Sequence, residues 1–592
     1  MSRGPSLLEE LKRRKVVRVV LVYLASAFAV IEAADVIVPV LALPDWTLRL
    51  VVGLAALGLP VAVGLAWAFD LTSRGLSRTP AQEEAAPAPA ALTQKWFPAR
   101  TVALVAILLA VGIGAGWLAR SATSDASPDV DDRSIAVIPL ENLSADPDNA
   151  FFAIGIQDEI LTQLQKISDL HVISRSSTMR YQPGPERAAM RTMGAELNAR
   201  WIVEGSVARV GNEVRLNIQL IESASDSHVW AEVYDGDLTV QGILAFQGQI
   251  ARRVAESLRA TIQPREEALI AAVPTQSAEA YTLYLRGIDF FGRRRAADLE
   301  HALDVFAQAI TIDPGFALAY AGRALTYAVL PFYTDLPARE TIALGLAAAE
   351  QALALDSTAA EAYAALGDLL LHGRYDVEGA EAALRSAIRL KPSYAQAYDW
   401  LAETLVPQGR TEEFLAVQRR ALELDPLSRF NMTYGRHLLS IGRTDAAIVQ
   451  LERSAQLDPT FPAGQEALGN AYLQAGRHAD GAAAFRRYAD LVGPEASVLE
   501  QVALAMGDPA RRPAVLRALD AIRTPSWRVS ASAIAAAYLR LGEPQKALDW
   551  LERGYNIRDP MLVFAFTSAV FAPLRGDARF RTLAARGKVA PL

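Results

Sequence analysis

Cysteine is absent and histidine occurs only six times in the 592 residues. Without cysteine there is no disulfide framework, no thiolate nucleophile and no cysteine-ligated metal, and every redox compartment stays open. The histidines are His171, His228, His301, His372, His437 and His478; no two have helical metal-ligand spacing, and H-E-x-x-H is missing. G-x-S-x-G, phosphate-loop and kinase signatures are missing as well. No enzyme is therefore expected, with no catalytic residue, cofactor or metal site. Surplus positive charge is also lacking: 59 Lys and Arg face 66 Asp and Glu, for a net charge of −7. That excludes a protein that neutralises many phosphates, so no nucleic-acid partner is expected.

What the chain does have is apolar sequence concentrated at its N-terminus. Val19 to Ile31 is uncharged, the apolar run resumes after Glu32 and Asp35 to Leu43, Leu50 to Phe69 carries no charge, and neither does Thr101 to Ala119. At about 1.5 Å per residue the last two runs each make roughly 28–30 Å of helix, the thickness of a hydrocarbon core. The expectation is three transmembrane helices over 16–40, 48–69 and 101–119, within a membrane region spanning 1–120 and contacting the bilayer. Arg3, Lys12, Arg13, Arg14, Lys15 and Arg18 precede the first run, and Arg74, Arg78, Lys95 and Arg100 separate the second from the third. By the positive-inside rule the N-terminus faces the cytoplasm. Everything beyond Arg120 is expected in the periplasm of a bacterium, held at the inner membrane.

An acidic linker over 121–133 leads into a mixed α/β pattern. Ile135 to Leu140 reads as a short buried strand, Ala150 to Ile167 as a helix and Leu170 to Ser174 as a second strand. Arg187 to Ala199 reads as a second helix. Val214, Leu216, Ile218 and Leu220 alternate with Glu213, Arg215, Asn217 and Gln219, the period of a half-buried strand; Gly211-Asn212 is its hairpin turn. A strand over His228 to Tyr234 and an amphipathic helix over Gln241 to Ile262 complete a mixed sheet with helices packed on it.

The run Ser134-Ile-Ala-Val-Ile-Pro-Leu-Glu-Asn-Leu-Ser144, with Leu197 to Val207 and His228 to Asp235, resembles the TolB N-terminal-like domain, a relative of the FlgO-like domain. The resemblance covers about 134–264 and implies an envelope-associated interaction domain with no known chemistry. That family has an acidic residue before the glycine that opens the first helix, where this chain has Ile154 before Gly155. Asp158 and Glu159 follow in what the sequence suggests are the first turns of that helix, where carboxylates suit its dipole.

From Ser277 the chain repeats. Gly373-Arg, Gly409-Arg, Gly442-Arg and Gly476-Arg recur at intervals of 36, 33 and 34, and Lys391-Pro392, Asp425-Pro426 and Asp458-Pro459 mark helix ends. A period near 34 of helix–turn–helix units is the tetratricopeptide signature. Tyr363, Leu366, Gly367 and Ala387 fit its motif in one repeat; Leu468, Gly469, Tyr472 and Phe485 fit it in another. The resemblance implies an all-α solenoid with a C-terminal cap over 277–592, interrupted by an insertion near Phe332 to Glu340. It also implies a concave groove for protein or peptide partners, lined by Asp368, Asp399, Glu403, His437 and Asn470. With three carboxylates in that set, a neutral or basic extended segment is the expected occupant. The function expected is that of a scaffold. A second reading uses the same parts as the periplasmic sensor arm of a signalling complex acting through a separate cytoplasmic partner, such as a cyclase-type enzyme.

Overall fold

The computed structural model describes 131–144, 150–210, 213–237 and 240–586, together with scattered positions among the first 121 residues. The chain divides into two units, Met1–Ser121 and Ala122–Leu592. In the first, strands β1 (Phe69–Thr72) and β2 (Gly75–Arg78) pair antiparallel, and Tyr23 donates its hydroxyl to the carbonyl of Ala55 at 2.8 Å.

The expectation of three membrane-crossing helices is corrected. Among the described residues no helix is long and apolar enough to cross a membrane. Phe69, expected to end the second span, opens a strand instead. The longest described helices, Val240–Ser257 and Ala338–Leu355, have 18 residues each and carry charged side chains such as Arg252, Glu256, Arg339 and Glu350. Their apolar sides are spent on the sheet and on neighbouring helices, so the bilayer contact expected through such spans has no described helix behind it. Most of 16–40 and 48–69, with Glu32 and Asp35, and all of 101–119 lie outside the described residues; Tyr23 and Ala55 are among the exceptions.

The second unit opens with a sheet ordered β5–β3–β6–β7–β8, with β4 also on β6: β3 is Ser134–Val137, β4 Glu141–Asn142, β5 His171–Val172, β6 Trp201–Val210, β7 Glu213–Glu222 and β8 Ser227–Asp237. β3 runs parallel to β5 and β6, whereas β6, β7 and β8 form an antiparallel meander with a bulge at Leu220/Ile221. Val214, Leu216, Ile218 and Leu220 are buried as their alternation requires. The opposite face of the meander is polar and cross-linked: Arg215 pairs with Asp235 at 2.6 Å, and Gln219 donates to Glu204 at 3.0 Å. The turn at Gly211-Asn212 lies outside the described residues.

Helix α1 (Ala150–Gln165) and α3 (Val240–Ser257) cover one face through Ile156, Ile160, Leu164, Ile250 and Val254; α2 (Met190–Leu197) covers the other at the parallel end through Met193 and Leu197. Both faces are thus closed where the strands are parallel, and one stays wet where they are antiparallel.

The rest is helical. Antiparallel helix pairs run from Ala278 to Ile557, and short helices follow to Arg586. The inner helices used below are α4 (Ala360–Asp368), α5 (Ala395–Leu405), α6 (Phe430–Ser440) and α7 (Pro462–Gln474), each backed by an outer helix.

The sheet domain and the helical array form one compact unit with a continuous core, in which Tyr281, Tyr284, Leu285, Phe306 and Phe316 of the array join Ile156 and Ile160. Gly155 is small because α1 must come this close: a Cβ there would stand 2.8 Å from Leu285 Cδ1. The helix begins at Ala150, so Asp158 and Glu159 sit mid-helix rather than in its first turn. The dipole therefore does not account for them; both lie at the junction with the array.

The seam is also hydrogen-bonded. Ser174 N–H donates to the Leu424 carbonyl at 2.7 Å, Ser393 Oγ donates to the Leu170 carbonyl at 3.0 Å, and the buried Asp425 carboxylate accepts from the hydroxyls of Ser176 and Ser177.

Candidate functional site

The site begins where one repeat departs from the others. At Gly409, Gly442 and Gly476 the chain turns with φ of +69°, +81° and +74°, the left-handed region that favours glycine. Gly373 stands in the same Gly-Arg pair but does not make that turn. Helix α4 instead widens into a π-helical turn, Leu369–Arg374, closed by Tyr375 at φ 56°. Tyr375 stands two residues before the next helix, the place that Gly409, Gly442 and Gly476 take before theirs, so Gly373 falls two residues early and the first interval is 36. Such widened turns re-aim side chains, and they recur at functional sites. Here the turn carries His372, whose Nδ1 stands 3.1 Å from Asp368 Oδ1.

On the other side of that imidazole, Nε2 is 3.5 Å from Glu403 Oε2 on α5, and Glu403 Oε1 is 3.6 Å from His437 Nε2 on α6. Three successive inner helices thus converge on one buried cluster, with Asp399 beside it accepting from Gln418 at 2.9 Å. Burial pushes the Asp368 carboxyl up, and pushes Asp399 up further with the nearby Glu403 charge adding to it. Burial also opposes ionisation of Glu403, yet His437 and His372 hold it below the ordinary carboxylate value. Burial disfavours imidazolium at both histidines. At His372 the Asp368 and Glu403 carboxylates override it and raise the group, whereas at His437 burial prevails and lowers it. Asp368, His372 and Glu403 bring one ligand atom each within 4.8 Å of one another, a separation at which a metal ion could be held.

This cluster floors a cavity of about 1290 Å³. The inner helices form one wall. The opposite wall comes from the insertion at Leu330–Pro337 and from two C-terminal segments, 524–531 and 553–561. Asp335 of the insertion ties these parts together by accepting from Trp527 N–H at 3.0 Å and pairing with Arg528 at 3.2 Å. Tyr375 Oη donates to the Asp559 carbonyl at 2.9 Å, and Phe564 packs edge-on to His372 with ring centroids 5.6 Å apart. The groove is therefore a roofed chamber whose roof is this chain.

Its charge is not what the carboxylates alone imply. Arg294, Arg429 and Arg436 line the chamber, and none has a carboxylate within ion-pair reach among the described residues. Arg294 stacks over Phe291 at 3.9 Å, Arg429 donates to Tyr333 Oη at 3.3 Å, and Arg436 reaches Met561 Sδ at 3.8 Å. Burial, with Arg429 adjacent, pulls the Arg294 guanidinium down to about 9. The nearby acids are occupied or pushed toward neutrality: Asp559 accepts from Ser532 and Met561, and burial raises Glu466.

The structure brings Asp368, Asp399, Glu403 and His437 together. Asp368, Asp399 and Glu403 line the chamber, and His437 lies wholly buried behind Glu403. Asn470 stands apart, half-buried, donating to the Glu466 carbonyl at 3.1 Å. Within the cluster these carboxylates face histidines and Gln418. Repeat offsets do not point to His372 as a site residue. Its signal in the sequence is Asp368 and His372 four positions apart, one carboxylate and one imidazole on the same helix face. The arginines carry no such signal, since their convergence depends on the superhelix.

The tetratricopeptide repeat family matches residues 373–429 and 433–496. The chain is 36% identical over 217 residues to "Putative adenylate cyclase 3" of Rhizobium meliloti (strain 1021); the match covers 36% of each, so the chain spans about a third of that relative's length. Among solved structures it is similar to YrrB, titled a TPR protein with an unusual peptide-binding site, at 22% identity and a TM-score of 0.23, covering 32% of this chain and 92% of that one. It is also similar to Pseudomonas aeruginosa pilF at 20% identity and a TM-score of 0.26, covering 39% and 98%. The family match lies within the helical region. Its repeats are tetratricopeptide repeats, the architecture of a protein–protein interaction scaffold.

Proposed function

We propose that the array is a scaffold whose roofed chamber captures an acidic peptide segment of a partner protein. The observation that carries this is the convergence of Arg294, Arg429 and Arg436 with no carboxylate in ion-pair reach among the described residues. A guanidinium in a chamber walled by Trp400, Phe332 and Tyr333 gains from an anion, and its planar fork suits a carboxylate. The work is binding, not catalysis, which the repeat architecture supports. The α/β domain, by its resemblance to the TolB N-terminal-like domain, would offer a second partner surface.

The test is fluorescence anisotropy with an Asp/Glu-rich peptide, its Asn/Gln copy and a Lys-rich copy. The acidic probe should bind best, and Arg429→Gln and Arg436→Gln should each weaken it about tenfold, the worth of one charge-assisted hydrogen bond. Preference for the Lys-rich probe, or indifference to both substitutions, would sink the reading.

A second reading is favoured by the likeness to the Rhizobium meliloti protein. In it the array is the sensing arm of a signalling complex, and capture of a segment is relayed to a cyclase-type partner. Purification of the tagged chain from its own cells, followed by assay of the eluate for cyclic-nucleotide synthesis, tests it; an eluate without that activity counts against it.

A further inference from the structure

The two edges of the sheet are finished differently. At the β5 edge the array supplies partners: Val172 N–H donates to Ser393 Oγ at 3.3 Å, Ser393 Oγ donates to the Leu170 carbonyl at 3.0 Å, and Ser174 N–H donates to the Leu424 carbonyl at 2.7 Å. β8, at the other edge, pairs with β7 alone. Every second N–H and C=O of an antiparallel edge strand points away from its neighbour. Among the described residues no hydrogen bond carries the β8 main chain to anything but β7.

Open edges are blunted in most proteins by shortness, lysine or proline. β8 has none of these guards: it runs 11 residues, Ser227–Asp237, without lysine or proline. Val229, Ala231 and Val233 form a stripe along it, and the two valines are 46% and 56% exposed. The strand is anchored from its other face, where Tyr234 meets Phe246 of α3 with ring centroids 6.1 Å apart. Its charge is of one sign. From Ser223 to Ala251 there are Asp226, Glu232, Asp235 and Asp237 and no lysine or arginine; Arg215 and Arg253 answer Asp235 and Glu232 from neighbouring elements. A second copy of β8 would set these carboxylates against one another, and like charges directly opposite are destabilising.

We propose that the free edge of β8 takes up an extended segment of a partner polypeptide as a further strand, a segment that alternates apolar with basic side chains. Main-chain pairing supplies the attraction. Alternate side chains of an added strand fall on opposite faces: apolar ones beside Val229, Ala231 and Val233, basic ones on the side of Glu232. The inference gives the second surface of the α/β domain a place and makes no use of the chamber.

The probe is a fluorescent peptide of alternating lysine and valine, as long as β8, titrated into the full chain and read by anisotropy. It should bind saturably, and a copy with methylated backbone nitrogens should not, because methylation removes the donors that a ladder needs. A glutamate–valine copy should bind more weakly, and Val233→Lys, a change at an exposed side chain outside the core, should weaken the lysine–valine probe about fivefold. Hydrogen exchange should slow across 227–237 on binding and stay unchanged across 429–436. Arg429→Gln should leave the affinity unchanged, which separates this edge from the chamber. Absence of saturable binding, full binding by the methylated copy, preference for the glutamate copy, or protection confined to chamber residues would each overturn the proposal. Self-association of the chain that Val233→Lys abolishes, without uptake of the probe, would assign the edge to a second copy and overturn it too.

Discussion

The ring of Phe564 lies 5.0 Å from that of His437, inclined at 60°. One residue belongs to the short C-terminal helix Leu562–Ala565, the other to inner helix α6. The contact means that the end of the array folds back onto the middle of its own concave face. Phe564 is buried there together with Leu371 and Tyr375.

Phe564→Ala should therefore undock the roof without unfolding the repeats. A buried Phe→Ala change costs about 3–5 kcal/mol. The expected outcome is a lower thermal midpoint and new protease cleavage between Asp559 and Arg586, with the fragment from Ala278 to Ile557 intact. Identical digestion patterns for variant and parent would show that the roof is held by other contacts.

Asp425 carries the seam between the α/β domain and the array. Its buried carboxylate accepts from Ser176 and Ser177, and Leu427 N–H donates to Ser177 Oγ at 2.9 Å. Asp425→Ala strands the buried Ser177 hydroxyl, at a cost of about 1–3 kcal/mol, while Asp425→Asn keeps one acceptor and should cost less. Hydrogen exchange across 170–178 should accelerate in the alanine variant well before the sheet core does. Equal exchange in both variants would remove Asp425 from the seam.

That residue also shows what was legible in the sequence. Asp425-Pro426 reads plainly as repeat punctuation, because helix ends are local events set by proline and capping. The strand alternation of β7 and the helical period of α1 are legible for the same reason. That the Asp425 carboxylate reaches into another domain is not legible, since the contact joins residues some 250 positions apart. The groove positions Asp368, Asp399 and Glu403 follow from repeat offsets. The charge of the chamber does not, because Arg294, Arg429 and the roof converge only through superhelix geometry. The apolar N-terminal runs mislead in the other direction: period and hydropathy suggest spans, yet Phe69 opens a strand.

The α/β–array junction should depend on pH. Burial, reinforced by the neighbouring Asp158 charge and opposed by Lys166 and Lys391, pushes Glu159 up from 4.5 to about 7. The folded state then keeps a proton that the unfolded state has lost. Stability is full below pH 4.5 and falls as pH rises toward 7, by about 3 kcal/mol. Lys166, lowered to about 8 by burial and by Lys391, acts in a separate window with the opposite sign, adding stability as pH rises from about 8 to 10.5. Denaturant titrations of Glu159→Gln should be flat between pH 4.5 and 7 while the parent slopes downward. Parallel curves would place that slope elsewhere, with Asp158, which burial also pushes up, the carboxylate to change next.

Gly442 and Gly373 both open Gly-Arg pairs but should fail for different reasons. Gly442 has φ +81° and open space around its missing Cβ, so Gly442→Ala costs about 1 kcal/mol of backbone strain. Asn tolerates that conformation, and Gly442→Asn should recover part of the loss. At Gly373 the backbone is not left-handed; a Cβ would stand 2.5 Å from Ile342 Cγ2, beside the turn that carries His372. Gly373→Ala should cost about 1–3 kcal/mol through overpacking, and Gly373→Asn should be worse because it is larger. Trimming the neighbour with Ile342→Ala should restore Gly373→Ala and do nothing for Gly442→Ala. Thermal midpoints of the single and double variants measure this. Rescue of both glycine variants by Ile342→Ala, or of neither, would mean that the π-helical turn does not set this repeat apart.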